Sequence, residues 1–146
     1  MNQQNREHLN KCAEFLVKKL HFNPVNIMVT GSVALDIQGV LPDDREVNGV
    51  DIILKTDNKS WGCVKLLEAI FCEYELDNHT NSVFFDLGGT ILNVFRYDGG
   101  DWSTIRDART GVYVATVDNI LKVKKARGSK KDICDLTGIC SKILKQ

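Results

Sequence analysis

Two β-rich runs, residues 83–87 and 90–96, flank the pair Gly88-Gly89. Two glycines between alternating apolar strands are the signature of a two-residue hairpin turn, because both central positions need positive φ. This turn fixes an antiparallel register over a dozen residues. Leu87 pairs with Thr90, Asp86 with Ile91 and Phe84 with Asn93. Cross-strand partners share a face, so Asp86 becomes a diagonal neighbour of Asn93 at about 7–8 Å. Whatever surrounds it, the fold must contain at least part of an antiparallel sheet.

The rest of the chain alternates between helical and strand periods. Leu9, Cys12, Leu16 and Leu20 give residues 7–20 a helical stripe, which ends before Pro24. Residues 26–30 form a short buried strand, broken by Gly31-Ser32, and residues 33–38 a short helix stopped at Gly39. After a polar loop over 41–46 come a strand over 47–54 and an amphipathic helix over 60–71. A short strand is expected over 73–76, a long loop over 97–111 and a last strand over 112–115. Thr116 caps a helix over 117–127 that closes at Gly128, and Ser129 with Asp132 has capping-box spacing for a final helix over 130–144. This order predicts an α+β fold: a mixed β-sheet with helices packed against it and two C-terminal helices.

Composition narrows the function classes. A chain of 146 residues with 43% hydrophobic and 26% charged residues has the size and core material of a single domain over 1–146. Lys and Arg number 19, as do Asp and Glu, so broad non-specific binding to nucleic acid or membranes is not expected. The charge is uneven, however. Residues 117–146 carry eight basic side chains against three acidic ones, either a phosphate-facing surface or a solvated helix face. Cys12, Cys63, Cys72, Cys134 and Cys140 form no close pair, which predicts free, mostly buried thiols in a reducing compartment. His8, His21 and His79 lack metal-ligand spacing. No signal-peptide core or membrane-length apolar run is present, and a cytoplasmic location is expected.

The chemistry-bearing segment is the strand ending at Gly31-Ser32, followed by Arg45 and by the strand that carries Gly49 and Asp51. A strand that turns through Gly-Ser into a helix presents free backbone N–H groups to an anion. An acid on the adjacent strand can hold the Mg²⁺ that accompanies a nucleotide. Further along, Ile120, Leu121, Lys124, Arg127, Lys131, Asp132, Asp135 and Leu136 recur at close spacing.

Over residues 26–138 this pattern resembles the nucleotidyltransferase superfamily, in particular its small bacterial toxin-type and minimal members. The family pattern is a Gly-Gly or Gly-Ser corner, a strand bearing two alternate aspartates, a third aspartate after a hairpin, and a closing lysine- and aspartate-containing helical signature. The resemblance implies Gly31, Ser32 and Lys124 as nucleotide-binding residues, Asp51 as a metal-binding and catalytic carboxylate, Mg²⁺ as cofactor and a nucleoside triphosphate as ligand. It also places Gly49 where the first aspartate of the pair belongs, and Asn93 where the third belongs. Alternate strand positions share a face, which is how the family's pair clasps metal, and glycine supplies no ligand there. Asn93 is left as a neutral metal contact, and Asp86 is the candidate replacement acid. Asp43, Asp44 and Glu46 are further acids near the strand entrance.

Other assignments stay open. Lys124 either reaches a phosphate or complements a helix dipole. Asp132 and Asp135 brace the last helix, and Arg45 either braces the loop or meets substrate. Trp102 with Arg106 and Arg109 forms an acceptor flap or anchors its loop. The favoured expectation is a degenerate member acting as a binding or structural module in a larger assembly, such as a toxin–antitoxin pair or a virion, with a protein partner. The alternative is an active Mg²⁺-dependent enzyme moving a nucleoside monophosphate to an RNA, protein or small-molecule hydroxyl. A third is a nucleic-acid binder using Lys122, Lys124, Lys125 and Arg127.

Overall fold

The computed structural model describes residues 1–43, 45–72 and 81–146. Its elements, in chain order, are α1 (Gln3–Glu14), β1 (Ile27–Thr30), α2 (Gly31–Ile37), β2 (Gly49–Leu54), α3 (Asn58–Cys72), β3 (Ser82–Asp86), β4 (Ile91–Arg96), β5 (Thr104–Arg106), β6 (Tyr113–Ala115), α4 (Val117–Arg127) and α5 (Lys130–Leu144). The strands form one mixed sheet in the order β3-β4-β2-β1-β6-β5. β2 is antiparallel to β1 and parallel to β4, β1 is parallel to β6, and the two edge pairs are antiparallel. The predicted α+β class is therefore the observed one.

Register gives the sheet two different faces. Val50, Ile52 and Leu54 of β2, Leu92 and Val94 of β4, and Val83 and Phe85 of β3 are all buried. The π-helical turn Phe15–Lys19 that extends α1 packs on this face, with the Phe15 ring 5.0 Å from that of Phe85. Alternate residues point the other way. Asp51 stands between Thr30 of β1 and Asn93 of β4, and Ile53 stands beside Phe95. None of these five is fully buried.

The hairpin register is the one the glycine pair dictates, with Asp86 opposite Ile91 and Phe84 opposite Asn93. Gly88 and Gly89 have φ of 76° and 95°, and Leu87 donates its N–H to the Thr90 carbonyl at 2.8 Å. Capping chemistry likewise sets both C-terminal helices at their expected bounds. The Thr116 side chain accepts from the Asn119 N–H, Gly128 is left-handed, and Ser129 and Asp132 complete a capping box.

Three expectations change. The loop over 97–111 contains β5, an edge strand of three residues whose single large apolar side chain, Ile105, gave no periodic signal. The first helix starts earlier, because the Asn2 side chain caps it by accepting from the Gln4 N–H. The described cysteine side chains are mostly not buried: Cys12 is, whereas Cys63, Cys134 and Cys140 lie on the outward faces of α3 and α5. Burial pushes the Cys12 thiol up to about 12, so it is inert at neutral pH. The strand expected over 73–76 lies outside the described residues. Among those described, no helix is long and apolar enough to cross a membrane.

Candidate functional site

β1 ends at Thr30 and the chain turns directly into α2, with Gly31 at φ 68°. That conformation suits glycine, and the corner is also tight. A Cβ placed on Gly31 would lie 2.6 Å from Asp51 Oδ2. The predicted corner and the predicted carboxylate therefore face each other. Both line a cleft of about 620 Å³ between the open face of the sheet and helices α4 and α5. Thr30, Gly31, Ser32 and Asp51 form its floor. Ile53 and Phe95 continue the sheet wall, and Val123, Lys124, Arg127, Lys131 and Asp135 are on the helical wall.

The sheet wall is poor in charge. Asn93 donates its side-chain amide to Asp51 Oδ1 at 3.1 Å. The reverse amide orientation would set oxygen against oxygen, so the carboxylate holds Asn93 as a donor. Gly49 is closed to any side chain, because a Cβ there would collide with the Ile91 carbonyl oxygen of the neighbouring strand. Asp86 has the predicted register but does not reach the cleft. Its Oδ1 accepts from the Gly88 and Gly89 N–H groups at 3.1 and 3.0 Å and so braces the hairpin turn. Asp43 pairs with Lys142 at 2.6 Å, and Glu46 is exposed. Asp44 lies outside the described residues.

Two divalent ions about 3.5–4 Å apart require several anionic oxygens to offset their repulsion. Asp51 supplies one carboxylate, Gly49 none, and Asn93 points a donor at Asp51. Among the described residues, no three His, Cys, Asp or Glu side chains are grouped to hold a metal ion. The residues present do not fit the metal pair that the resemblance implies.

The helical wall is rich in charge, and most of it is internally paired. Lys124, buried on α4, donates to Asp135 Oδ2 at 2.9 Å. Arg45 reaches the other oxygen of the same carboxylate at 2.7 Å. This clasp joins the loop before β2 to both C-terminal helices. Arg127 donates to Asp132 Oδ1 at 2.9 Å, and Asp132 also takes the Ser129 hydroxyl at 2.6 Å. The Ser129 hydrogen bond holds the Asp132 carboxyl below its ordinary value, against a smaller upward push from burial and with further lowering from Arg127. Bracing of α5 by Asp132 and Asp135 is thus what the geometry provides.

Trp102 is tied to the body of the protein. The Lys55 ammonium sits 4.1 Å from its ring centroid and 4.9 Å from that of Tyr97, and the two rings meet edge-on at 5.2 Å. Arg106 and Arg109 do not line the cleft. Sequence reasoning missed the apolar side of the cleft, Phe95 and Val123, which are 43% and 47% exposed. Period-two alternation places Phe95 on the Asp51 face and was the available signal for it.

The sheet order, the Gly31 corner against Asp51 and the two closing helices together define a nucleotidyltransferase-like fold. A solved structure of the same class, ANT(2")-Ia in complex with adenylyl-2"-tobramycin, superposes with a TM-score of 0.52 and 13% sequence identity, covering 97% of this chain and 90% of that one. At that identity the likeness concerns the fold alone. No family model and no curated protein matches the chain.

Proposed function

We propose that this chain is a nucleotidyltransferase-fold binding module that takes a nucleoside-class ligand in the cleft between the sheet and α4–α5 and does not transfer nucleotidyl groups. The observation carrying this reading is Gly49, where the Ile91 carbonyl oxygen stands in the space any Cβ would need. A carboxylate there would need the β2–β4 pairing to shift, so the loss is built into the strand spacing and not only into the side chain. Asn93 adds to it by engaging Asp51 as a hydrogen-bond donor. What remains is a concave, partly apolar cleft on a nucleotidyltransferase-like scaffold, which suits binding better than charge-demanding transfer chemistry.

Purified protein incubated with Mg²⁺ and each nucleoside triphosphate, with pyrophosphate release measured, is expected to show no turnover above an Asp51→Ala control. Robust release that Asp51→Ala abolishes would overturn the reading. It would instead favour the second one, an active Mg²⁺-dependent nucleotidyltransferase, to which the position of Asp51 against the Gly31 corner lends support.

A further inference from the structure

The cleft's charges are arranged unusually for a pocket that would receive a polyanion. Its lining contains four cations, Arg45, Lys124, Arg127 and Lys131, and three acids, Asp51, Asp132 and Asp135. Three of the cations are held by those acids. Asp135 takes both Arg45 and Lys124, at 2.7 and 2.9 Å, and Asp132 takes Arg127 at 2.9 Å. Asp135 and Lys124 are well shielded, with side chains 12% and 10% exposed, so the attraction between them is weakly screened and a ligand must compete with it. Among the described residues, Lys131 is the lining cation with no ion pair. Beside this helical wall, Phe95 and Val123 leave large apolar surfaces uncovered, next to Ile53 and above the buried Ile120.

We infer that the cleft selects a flat aromatic heterocycle carrying at most one negative charge, and that Asp135 is the residue enforcing this choice. The inference rests on the reading of the cleft as a ligand site and specifies what enters it. A ring lies against Phe95 and Val123, where its burial removes apolar surface from water. A single anionic group finds Lys131. A nucleoside triphosphate, whose terminal phosphate alone carries about −1.5 to −2, meets a wall on which Asp132 and Asp135 already hold every lining cation but Lys131. Asp135 acts as a resident anion in the place where a polyphosphate would need Lys124 and Arg45.

Calorimetric titration of the full chain with adenosine, 3′,5′-cyclic adenosine monophosphate and adenosine triphosphate, each with and without Mg²⁺, tests this directly. The expected order is the neutral and singly charged ligands at least about tenfold tighter than the triphosphate, the scale of one unfavourable charge contact in a partly solvated cleft. In Asp135→Asn, which keeps the shape and one acceptor oxygen, triphosphate binding tightens by about tenfold relative to adenosine binding. The wild-type ranking decides the question even if that variant folds poorly, and Phe95→Ala should weaken all three ligands together. A triphosphate that binds wild type more tightly than adenosine overturns the charge selection and leaves the binding reading standing. Absence of binding by all three ligands overturns both.

Discussion

The two walls of the cleft hold their polar groups in opposite ways. On the sheet wall, Asp51 stands almost alone: glycine two residues before it, an amide across from it, and apolar Ile53 and Phe95 beyond. On the helical wall, acids and bases are plentiful and bind one another, through the Arg45–Asp135–Lys124 clasp and the Arg127–Asp132–Ser129 set. Charge on the helical wall therefore fastens the loop before β2, α4 and α5 to one another. A wall that is structurally satisfied is stable and unreactive. A wall with one carboxylate, and no space at Gly49 for a second, does not fit the metal pair that the resemblance implies.

The largest effect should come from opening the clasp. Asp135→Ala leaves Lys124 with its charge and no carboxylate in a shielded position, and should cost about 3–4 kcal/mol of stability by urea denaturation. Replacing all three members together with apolar residues of similar volume should cost much less, because no unpaired charge is left buried. Should Asp135→Ala cost under about 1 kcal/mol, as exposed ion pairs do, the helical wall is not braced as described and the contrast with the sheet wall fails.

Next comes the sheet wall. At Gly49 the conflict lies at Cβ, so Gly49→Ala and Gly49→Asp should each lose about 2–3 kcal/mol, as overpacked sites do. Gly49→Asp should gain no Mg²⁺-dependent turnover. A stable, active Gly49→Asp protein would make the sheet wall a catalytic half that lacks a single side chain, and the comparison would then be between two functional walls.

How much of this contrast could be read from the chain depends on whether the physics is local. The Gly88-Gly89 turn dictates its own register, and Thr116, Gly128, Ser129 and Asp132 cap helices within four residues of themselves, so those elements emerged at the expected bounds. The Gly31 corner and Asp51 were legible as a pair because the strand pattern put them on neighbouring strands. The Arg45–Asp135 contact joins residues 90 apart through packing alone, and no spacing rule connects them. The tightness at Gly49 was also invisible, since the sequence shows a missing ligand and only the sheet shows the missing space. Asp86 had the correct register, but the choice between reaching inward and accepting two turn amides depends on backbone N–H directions that register does not specify.

A smaller effect should separate capping from clasping within the helical wall. The Ser129 hydroxyl both caps α5, accepting from the Asp132 N–H at 3.1 Å, and donates to the Asp132 carboxylate. Ser129→Ala should cost about 1 kcal/mol, the usual scale for a lost N-cap. It should leave ligand ranking unchanged, because Asp135 still holds Lys124 and Arg45. A change in ranking would show that the two polar sets on this wall act as one.

The smallest expected effect is a pH dependence that belongs to the helical wall. The Ser129 hydrogen bond, with Arg127 in support, holds the folded-state pKa of Asp132 below its ordinary value of 3.8. A carboxyl depressed in this way contributes stability that is complete above its unfolded value and is lost as pH falls through the folded one. Urea midpoints of wild type should therefore drop faster than those of Asp132→Asn between about pH 5 and pH 2, with the two curves parallel above that range. Ser129→Ala should fall between them, since it removes the largest cause of the shift and leaves Arg127 in place. Parallel curves throughout would mean that Asp132 gains nothing from its partners on folding, and the helical wall would then be held by the Asp135 clasp alone.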